Sequence, residues 1–171
     1  MNPYCKLAKS ATEYFIKTGK HLPAPKDVSN NLLDNKAGIF VSIHKGKELK
    51  GCVGTFLPTK PNIAQEIISS SISACQDSRF KPIQPSEFDS FSYEVYILDE
   101  PKPIKSFEEL DPKKYGVLVR SKYKSGLLLP DLEGVDNIET QLGIACQKAG
   151  IDPNKEQFWV YKFSAKKYVS D

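Results

Sequence analysis

The chain has none of the segments that mark a membrane or secreted protein. Its first residues are not a basic stretch followed by an apolar run. Its apolar runs are far shorter than the roughly 20 residues that span a bilayer. The net charge of +3 is too small for a protein that coats a polyanion. With 171 residues, 40% hydrophobic and 26% charged, we expect one soluble, cytoplasmic domain with an ordinary core.

The chain also lacks the motifs of common metal, nucleotide and hydrolase sites. Its four cysteines, Cys5, Cys52, Cys75 and Cys146, form no C-x-x-C pair, and the two histidines are far apart. No G-x-G-x-x-G, phosphate-loop lysine or G-x-S-x-G motif is present. We therefore expect four reduced thiols and neither a bound metal nor a cofactor.

Two parts of the chain, residues 37–98 and 115–163, have the same order of strand, strand, helix and strand. An N-terminal helix that ends at Gly19 precedes them, and residues 21–36 form a loop. The strands are predicted at 37–44, 48–56, 92–98, 115–120, 126–129 and 157–163. The helices of the two parts are predicted at 61–77 and 136–150.

Short turns between the strands favour antiparallel pairing, which indicates the α+β class. We expect two similar repeats that together form a single, largely antiparallel sheet covered by helices. The two parts share negligible sequence identity, so a structural duplication remains a prediction.

The most unusual stretch is Leu49-Lys50-Gly51-Cys52-Val53-Gly54-Thr55-Phe56. Strand alternation places the Lys50 ammonium beside the Cys52 thiol, where a cation favours the reactive thiolate. Glycines weaken a strand, so Gly51 and Gly54 indicate close approach of a ligand or another backbone. The alternative is that Cys52 is a small buried hydrophobe and the glycines form a bulge.

Three further charged residues are candidates for the same site. Arg79 can bind a carboxylate or phosphate, and Asp77 can hold it in place. The alternative is an ion pair that locks the end of the helix to the next loop. Glu94 lies inside an apolar strand, where it is either a general acid or base or a solvated carboxylate on an edge strand.

The octet resembles the L-R-G-C-I-G-T-F motif of the AMMECR-like family, the A protein of the AmmeMemoRadiSam system. Other segments are similar to this family in the same order along nearly the whole chain. They are Ala8-Lys9-Ser10, Thr18-Gly19-Lys20, Gly38-Ile39-Phe40-Val41-Ser42-Ile43, Asp77-x-Arg79-Phe80-x-Pro82, Gly126-Leu127-Leu128-Leu129-Pro130 and Cys146-x-Lys148-Ala149-Gly150.

This resemblance implies two β3-α2 repeats around one antiparallel sheet and a protein without an established activity. It also implies action together with a Memo-type protein, which resembles an extradiol dioxygenase, and a radical S-adenosylmethionine enzyme. The chain departs from the family pattern at Lys50, where the motif has arginine, and at residues 95–98 and 133–137.

We therefore assign candidate roles around a cleft between two lobes. Cys52 and Glu94 are the candidate catalytic residues. The candidate ligand-binding residues are Lys50, Gly51, Gly54, Thr55, Asp77 and Arg79. The alternatives are a non-catalytic scaffold for a protein partner and, with less support, a nucleic-acid-binding sheet, which the low net charge disfavours. The sequence predicts no membrane contact and leaves the oligomeric state open.

Overall fold

The computed structural model describes residues 1–170 and has the expected α+β class. The chain divides into two compact units. Unit 1 contains Met1–Leu98 and the C-terminal stretch from Lys166, and unit 2 contains Asp99–Ala165.

Unit 1 contains three helices. Helix α1, Pro3–Thr18, begins where the Asn2 side chain accepts a hydrogen bond from the Cys5 amide. It ends as predicted at Gly19, whose φ of 70° suits a residue without a Cβ. A short helix α2, Asn30–Asp34, lies within the segment predicted as a loop. Helix α3, Ile63–Cys75, agrees with the predicted helix and is capped by the side chain of Asn62.

The sheet of unit 1 has four strands in the order β2-β1-β3-β8. They are β1 Gly38–Lys45, β2 Glu48–Gly54, β3 Phe91–Leu98 and β8 Ala165–Val169. Strand β1 pairs antiparallel with both β2 and β3. Strands β1, β2 and β3 were predicted from the sequence, whereas β8 was not. A six-residue 3-10 segment, Pro85–Ser90, leads into β3.

Unit 2 has its own four-stranded sheet, in the order β4-β7-β5-β6. Its strands are β4 Lys102–Pro103, β5 Gly116–Arg120, β6 Ser125–Leu128 and β7 Trp159–Phe163. Helix α4, Ile138–Ala149, agrees with the predicted helix and is capped by the side chain of Asn137. A short 3-10 turn, Phe107–Glu109, begins after Ser106, whose side chain accepts a hydrogen bond from the Glu108 amide.

The prediction of a single sheet is wrong, because the strands pair in two separate sheets. The three main strands of each part pair with one another and with no strand of the other part. Each sheet then gains a fourth strand from elsewhere in the chain: β4 follows β3 but pairs with β7, and β8 follows β7 but joins β3. Local sequence patterns predict where strands form, but they do not encode which strands pair.

Strand alternation gives the sheet of unit 1 one apolar face and one polar face. Ile39, Val41, Ile43, Tyr93 and Val95 are fully buried in the same core cluster as α1 and α3. The side chains between them therefore lie on the opposite face, away from α3. This opposite face carries Phe40, Ser42 and His44 of β1 and Glu94 and Tyr96 of β3, and its polar members form most of the candidate site.

Candidate functional site

Cys52, Ser42 and Glu94 lie side by side on three neighbouring strands. Ser42 of β1 is the register partner of Cys52 on β2 and of Glu94 on β3. We call these three residues the polar row. Ser42 is 4% exposed, while Cys52 and Glu94 are half-buried. The row thus places the thiol two strands away from the carboxylate, roughly 10 Å across the sheet.

The backbone of Cys52 points away from β1, towards the outer edge of the sheet. Its N–H donates to Asp77 Oδ2 at 3.2 Å, and its carbonyl accepts from Arg79 Nη2 at 3.0 Å. Cys52 and Ser42 are therefore a pair without mutual backbone hydrogen bonds, the arrangement that brings opposite side chains closest. The Ser42 hydroxyl accordingly lies 3.2 Å from Cys52 Sγ and donates to it.

Asp77 and Arg79 come together at Cys52, but they contact its backbone rather than its thiol. Arg79 binds the Asp77 carboxylate through Nε at 2.9 Å and Nη2 at 2.6 Å. The Arg79 guanidinium is the main reason why the pKa of Asp77 falls to about 2, and Asp77 in turn raises the pKa of Arg79. The Asp77 side chain is 6% exposed and that of Arg79 59%. This pair clamps the edge of β2 and leaves part of the guanidinium open to solvent.

Glu94 binds several donors on the polar face. Tyr96 OH donates to Glu94 Oε2 at 2.9 Å, and Lys167 Nζ lies 2.8 Å from Oε1. His44 Nε2 is 3.5 Å from Oε2, an ion-pair distance rather than a formed hydrogen bond. Burial alone would raise the pKa of Glu94, but His44, Lys167 and Tyr96 together lower it to about 2. Glu94 is therefore a carboxylate throughout the neutral range.

Lys50 does not lie where strand alternation predicted. The register of β2 shifts so that Gly51 opposes Ile43 while Leu49 opposes His44, which leaves Lys50 as the extra residue of a bulge. This shift contradicts the alternation that put Lys50 and Cys52 on one face. The Lys50 ammonium instead binds Glu48 Oε1 at 2.7 Å.

Gly51 and Gly54 accommodate protein backbone. A Cβ on Gly51 would lie 1.9 Å from the Ala74 carbonyl oxygen in α3. A Cβ on Gly54 would lie 2.0 Å from the Ile39 carbonyl oxygen, and the Phe40 ring occupies the space beside it. Of the two expectations for these glycines, a ligand or another backbone, the close approach is made by the backbones of α3 and β1.

Thr55 donates to a buried carboxylate that the sequence analysis did not single out. Glu66 in α3 is 1% exposed and accepts hydrogen bonds from Thr55 Oγ1 at 3.0 Å, from both Thr59 donors and from the Lys60 amide. These contacts fix the segment between β2 and α3. Thr55 therefore anchors this segment in the structure.

The other cysteines differ from Cys52 in their surroundings. Burial raises the pKa of Cys75 to about 11 and also raises that of Cys146. Cys5 is fully buried and donates to the Tyr93 and Tyr168 carbonyls at 3.4 Å. Cys52 is half-buried on the polar face, away from α3, with a hydroxyl against its sulfur. All four cysteines are free thiols.

Four residues of the polar face were missed: Ser42, His44, Tyr96 and Lys167. Ser42 and His44 could have been found from the sequence, because they are polar residues two positions apart in an otherwise apolar strand. Lys167 lies on β8, a strand that was not predicted. Across residues 1–170, no group of three or more histidine, cysteine or acidic side chains is arranged to hold a metal ion. In the same range, no helix is long and apolar enough to cross a membrane.

Comparison with known proteins gives a consistent family match. The model of the AMMECR1 family matches residues 5–168. A protein from Thermotoga maritima is 45% identical over 169 residues, which cover 98% of this chain and 97% of that protein. Protein CA_C1420 from Clostridium acetobutylicum is 44% identical over 164 residues, which cover 95% of this chain but 35% of that longer protein.

A solved structure shares the fold. The crystal structure of the uncharacterized protein PH0010 from Pyrococcus horikoshii is similar with a TM-score of 0.90 and 31% sequence identity. The match covers 98% of this chain and 90% of that one.

Proposed function

Because the chain belongs to the AMMECR1 family, we propose that it is one component of a multi-protein reaction, with Cys52 as the reacting or ligand-binding group. The partners we propose are a Memo-type, dioxygenase-like protein and a radical S-adenosylmethionine enzyme. The motif resemblance supports this choice. The C. acetobutylicum relative adds support, since the matched region is 35% of a longer chain that has room for further domains.

The observation that carries the Cys52 site is the contrast between the polar row and the equivalent row of unit 2. Gly51, which precedes Cys52, and Gly126, which precedes Leu127, both pack against a helix carbonyl. Leu127 is therefore the unit 2 counterpart of Cys52. Leu127 pairs with Leu118, and Leu118 pairs with Tyr161. The fold is therefore built in unit 2 without a thiol, an aliphatic hydroxyl or a carboxylate in this row, which favours a chemical rather than a structural reason for these groups in unit 1.

We also propose that the two similar halves act as one functional domain in the cytoplasm. Four free thiols fit a reducing compartment. The family model spans both units in a single match.

The first experiment measures the alkylation of each cysteine in the folded protein with iodoacetamide near neutral pH, resolved by mass spectrometry. We expect Cys52 to react at least tenfold faster than Cys75 and Cys146, because burial holds those two thiols protonated. Equal rates would remove the role of Cys52 as a nucleophile.

The second experiment tests the partners. The Memo-type protein and the radical enzyme are combined with the chain, and a Cys52→Ser variant is compared with a matched Cys75→Ser variant. We expect turnover of the reconstituted system to be lost only with Cys52→Ser. Full turnover by Cys52→Ser would contradict a chemical role at this position.

A second candidate function, a non-catalytic binding module, has one observation in its favour. Phe107 and Trp159 in unit 2 are 57% and 52% exposed and line a surface cavity of about 270 Å³ with Ile104 and Phe158. Large exposed aromatic residues are typical of protein-binding surfaces. Loss of Memo-type protein binding with Trp159→Ala, but not with Cys52→Ser, would favour this alternative.

A further inference from the structure

The His44 imidazole lies on the polar face with its two nitrogens in different surroundings. His44 and Ser42 are two residues apart on β1, so they share a face, and Ser42 contacts the Cys52 sulfur. His44 Nε2 is buried beside Glu94 Oε2 at 3.5 Å. The side chain as a whole is 24% exposed, so its exposed surface belongs to atoms other than Nε2. Nδ1 is the nitrogen left for another partner.

Nε2 has no hydrogen-bond partner within residues 1–170, although it is fully buried. A buried polar atom without a partner is uncommon and calls for an explanation. A carboxylate beside one imidazole nitrogen orients the ring and stabilises it when it takes up a proton at the other nitrogen. A short movement of the ring towards Glu94 would turn the 3.5 Å contact into a hydrogen bond.

Glu94 itself is poorly suited to carry the proton. Lys167 and Tyr96, together with the nearby His44 ring, keep it ionised, with a pKa of about 2. Such a carboxylate has no proton to donate near neutral pH and is a weak base. An imidazole, in contrast, takes up and releases protons in the neutral range in most surroundings.

We propose that His44 is the proton-transfer residue of the Cys52 site and that Glu94 is the positioning residue that orients it. This inference rests on the role of Cys52 proposed above. In the step, the S–H bond of Cys52 breaks and its proton passes to His44, by way of the Ser42 hydroxyl or one water molecule. The electron pair stays on sulfur and forms a bond to an electrophilic carbon, which releases its leaving group.

The charged groups around His44 come from three strands. Glu94 on β3 and Lys167 on β8 lie on one side, with Tyr96 bound to the same carboxylate. On β2, the Lys50–Glu48 ion pair flanks Leu49, the residue opposite His44. Glu94 is thus the carboxylate in contact with the imidazole.

The test measures the rate of Cys52 alkylation by iodoacetamide between about pH 5 and about pH 9, the range in which histidines titrate. The reagent supplies the electrophilic methylene carbon and iodide is the leaving group. The rate rises with the thiolate fraction in every variant, so the informative quantity is the rate near pH 7, where a base that accepts the thiol proton adds to it. His44→Gln should slow Cys52 by about tenfold near pH 7, a modest share of the effect typical of general bases, and should leave the rise that direct thiol ionisation gives at higher pH.

The chain offers a matched control, because it contains two histidines. His21→Gln alters the exposed one, whose ring packs edge-on against Phe15, and should leave the Cys52 profile unchanged. Glu94→Gln should slow Cys52 alkylation near pH 7, and Glu94→Asp should restore part of the rate. Cys75 serves as the internal reference in every variant, and its rate should stay constant.

Two results would overturn the inference, and they are distinguishable. A fast Cys52 whose profile is the same in His44→Gln would refute the role of His44 and leave the Cys52 site intact. A Cys52 no faster than Cys75 would refute both. If His44→Gln does not fold, as judged by thermal unfolding, Glu94→Gln carries the same test with the imidazole in place. An unchanged profile in that variant would then be the refuting result.

Discussion

The two units of this protein pack a helix against a sheet through the same kinds of contact, made by different side chains. In each, a glycine in the second strand lets a helix approach closely: Gly51 faces the Ala74 carbonyl, and Gly126 faces the Ala145 carbonyl. In each unit, a side chain of the helix also donates a hydrogen bond to a backbone carbonyl near the start of the first strand. Ser70 Oγ donates to the Ile39 carbonyl at 3.3 Å, and Gln141 Nε2 donates to the Tyr115 carbonyl at 2.8 Å.

The units differ on the face of the sheet that points away from the helix. Unit 1 has the polar row of Cys52, Ser42 and Glu94 there, whereas unit 2 has two leucines and a tyrosine. Since the helix contacts are alike, packing against the helix does not demand the polar groups. The fold therefore requires the helix contacts, and the polar groups of unit 1 are additional to them. We propose that the two units are copies of one structural motif, of which one has specialised.

The largest effects are expected where the units are alike. Gly51→Ala would place a Cβ 1.9 Å from the Ala74 oxygen, and Gly126→Ala would place one 2.4 Å from the Ala145 oxygen. Backbone atoms cannot yield as a flexible side chain does, so strand and helix must separate. We expect each change to lower the free energy of unfolding by about 3 kcal/mol, measured by urea denaturation.

The control for these substitutions is Gly143→Ala, because a Cβ at this helical position meets no atom within 4 Å. The better helix propensity of alanine should raise the free energy of unfolding by up to about 1 kcal/mol. A Gly51→Ala protein as stable as Gly143→Ala would mean that the helix contact is not shared by the two units.

The second prediction compares the centres of the two rows. Leu118 is 2% exposed, so Leu118→Ala should leave a cavity and cost about 3 kcal/mol of unfolding free energy. Ser42→Ala removes only the hydrogen bond to Cys52 and should cost about 1 kcal/mol. Both values come from the same denaturation experiment. Equal losses would show that the polar row supports the fold as strongly as the apolar one.

The third prediction concerns acid stability, which the polar row should confer on unit 1. Three partners lower the pKa of Glu94 from an ordinary 4.5 to about 2. A lowered pKa stabilises the folded state above the unfolded value, and this contribution is lost as the pH falls through the folded value. We expect Glu94→Gln to cost about 2 kcal/mol near pH 6 and almost nothing near pH 2.

The measurement is urea denaturation of the unaltered protein and of Glu94→Gln at several pH values between these two limits. Tyr161, the equivalent residue in unit 2, has a phenol in place of a carboxyl group, so the effect of Tyr161→Phe should be the same at both ends of this pH range. A difference between Glu94→Gln and the unaltered protein that stays constant with pH would contradict the proposed charge network.

The smallest effect is expected at Lys50, where a bulge replaces regular pairing. Lys50→Ala removes an ion pair with Glu48, whose side chain is 67% exposed, so it should cost only a few tenths of a kcal/mol. It should also leave the alkylation rate of Cys52 unchanged. A several-fold slower Cys52 in Lys50→Ala would restore the original prediction that this ammonium acts on the thiol.

Helices and strands with a clear periodic pattern could be predicted from the sequence. Helices α1, α3 and α4 have apolar stripes at helical spacing and recognisable ends, and strands β1 and β3 have dense β-branched and aromatic residues. Strand β8 reads Ala-Lys-Lys-Tyr-Val, with lysines that suit an edge position but give no hydrophobic signal. Strand β4 has two residues, one of them proline, which is too short for any pattern.

The candidate site was predicted only in part, for three physical reasons. Cys52, Asp77 and Arg79 were brought together because they flank one strand and the helix that returns from it. The displacement of Lys50 depends on a bulge whose position no local pattern fixes. The sequence suggested His44 only as a possible metal ligand. Its contact with Glu94 depends on the pairing of β1 with β3, in which the two side chains are diagonal neighbours.

The return of β8 to the first sheet has a consequence for biosynthesis. Strands β1, β2 and β3 leave the ribosome long before Lys166, yet their sheet is completed only by β8. The Asn2 side chain, which caps α1, also donates to the Val169 carbonyl of β8 at 2.8 Å. The edge of β3 must therefore remain uncovered during translation of the whole of unit 2. Contacts between residues so distant in sequence slow folding, and we expect the nascent chain to depend on chaperones during this interval.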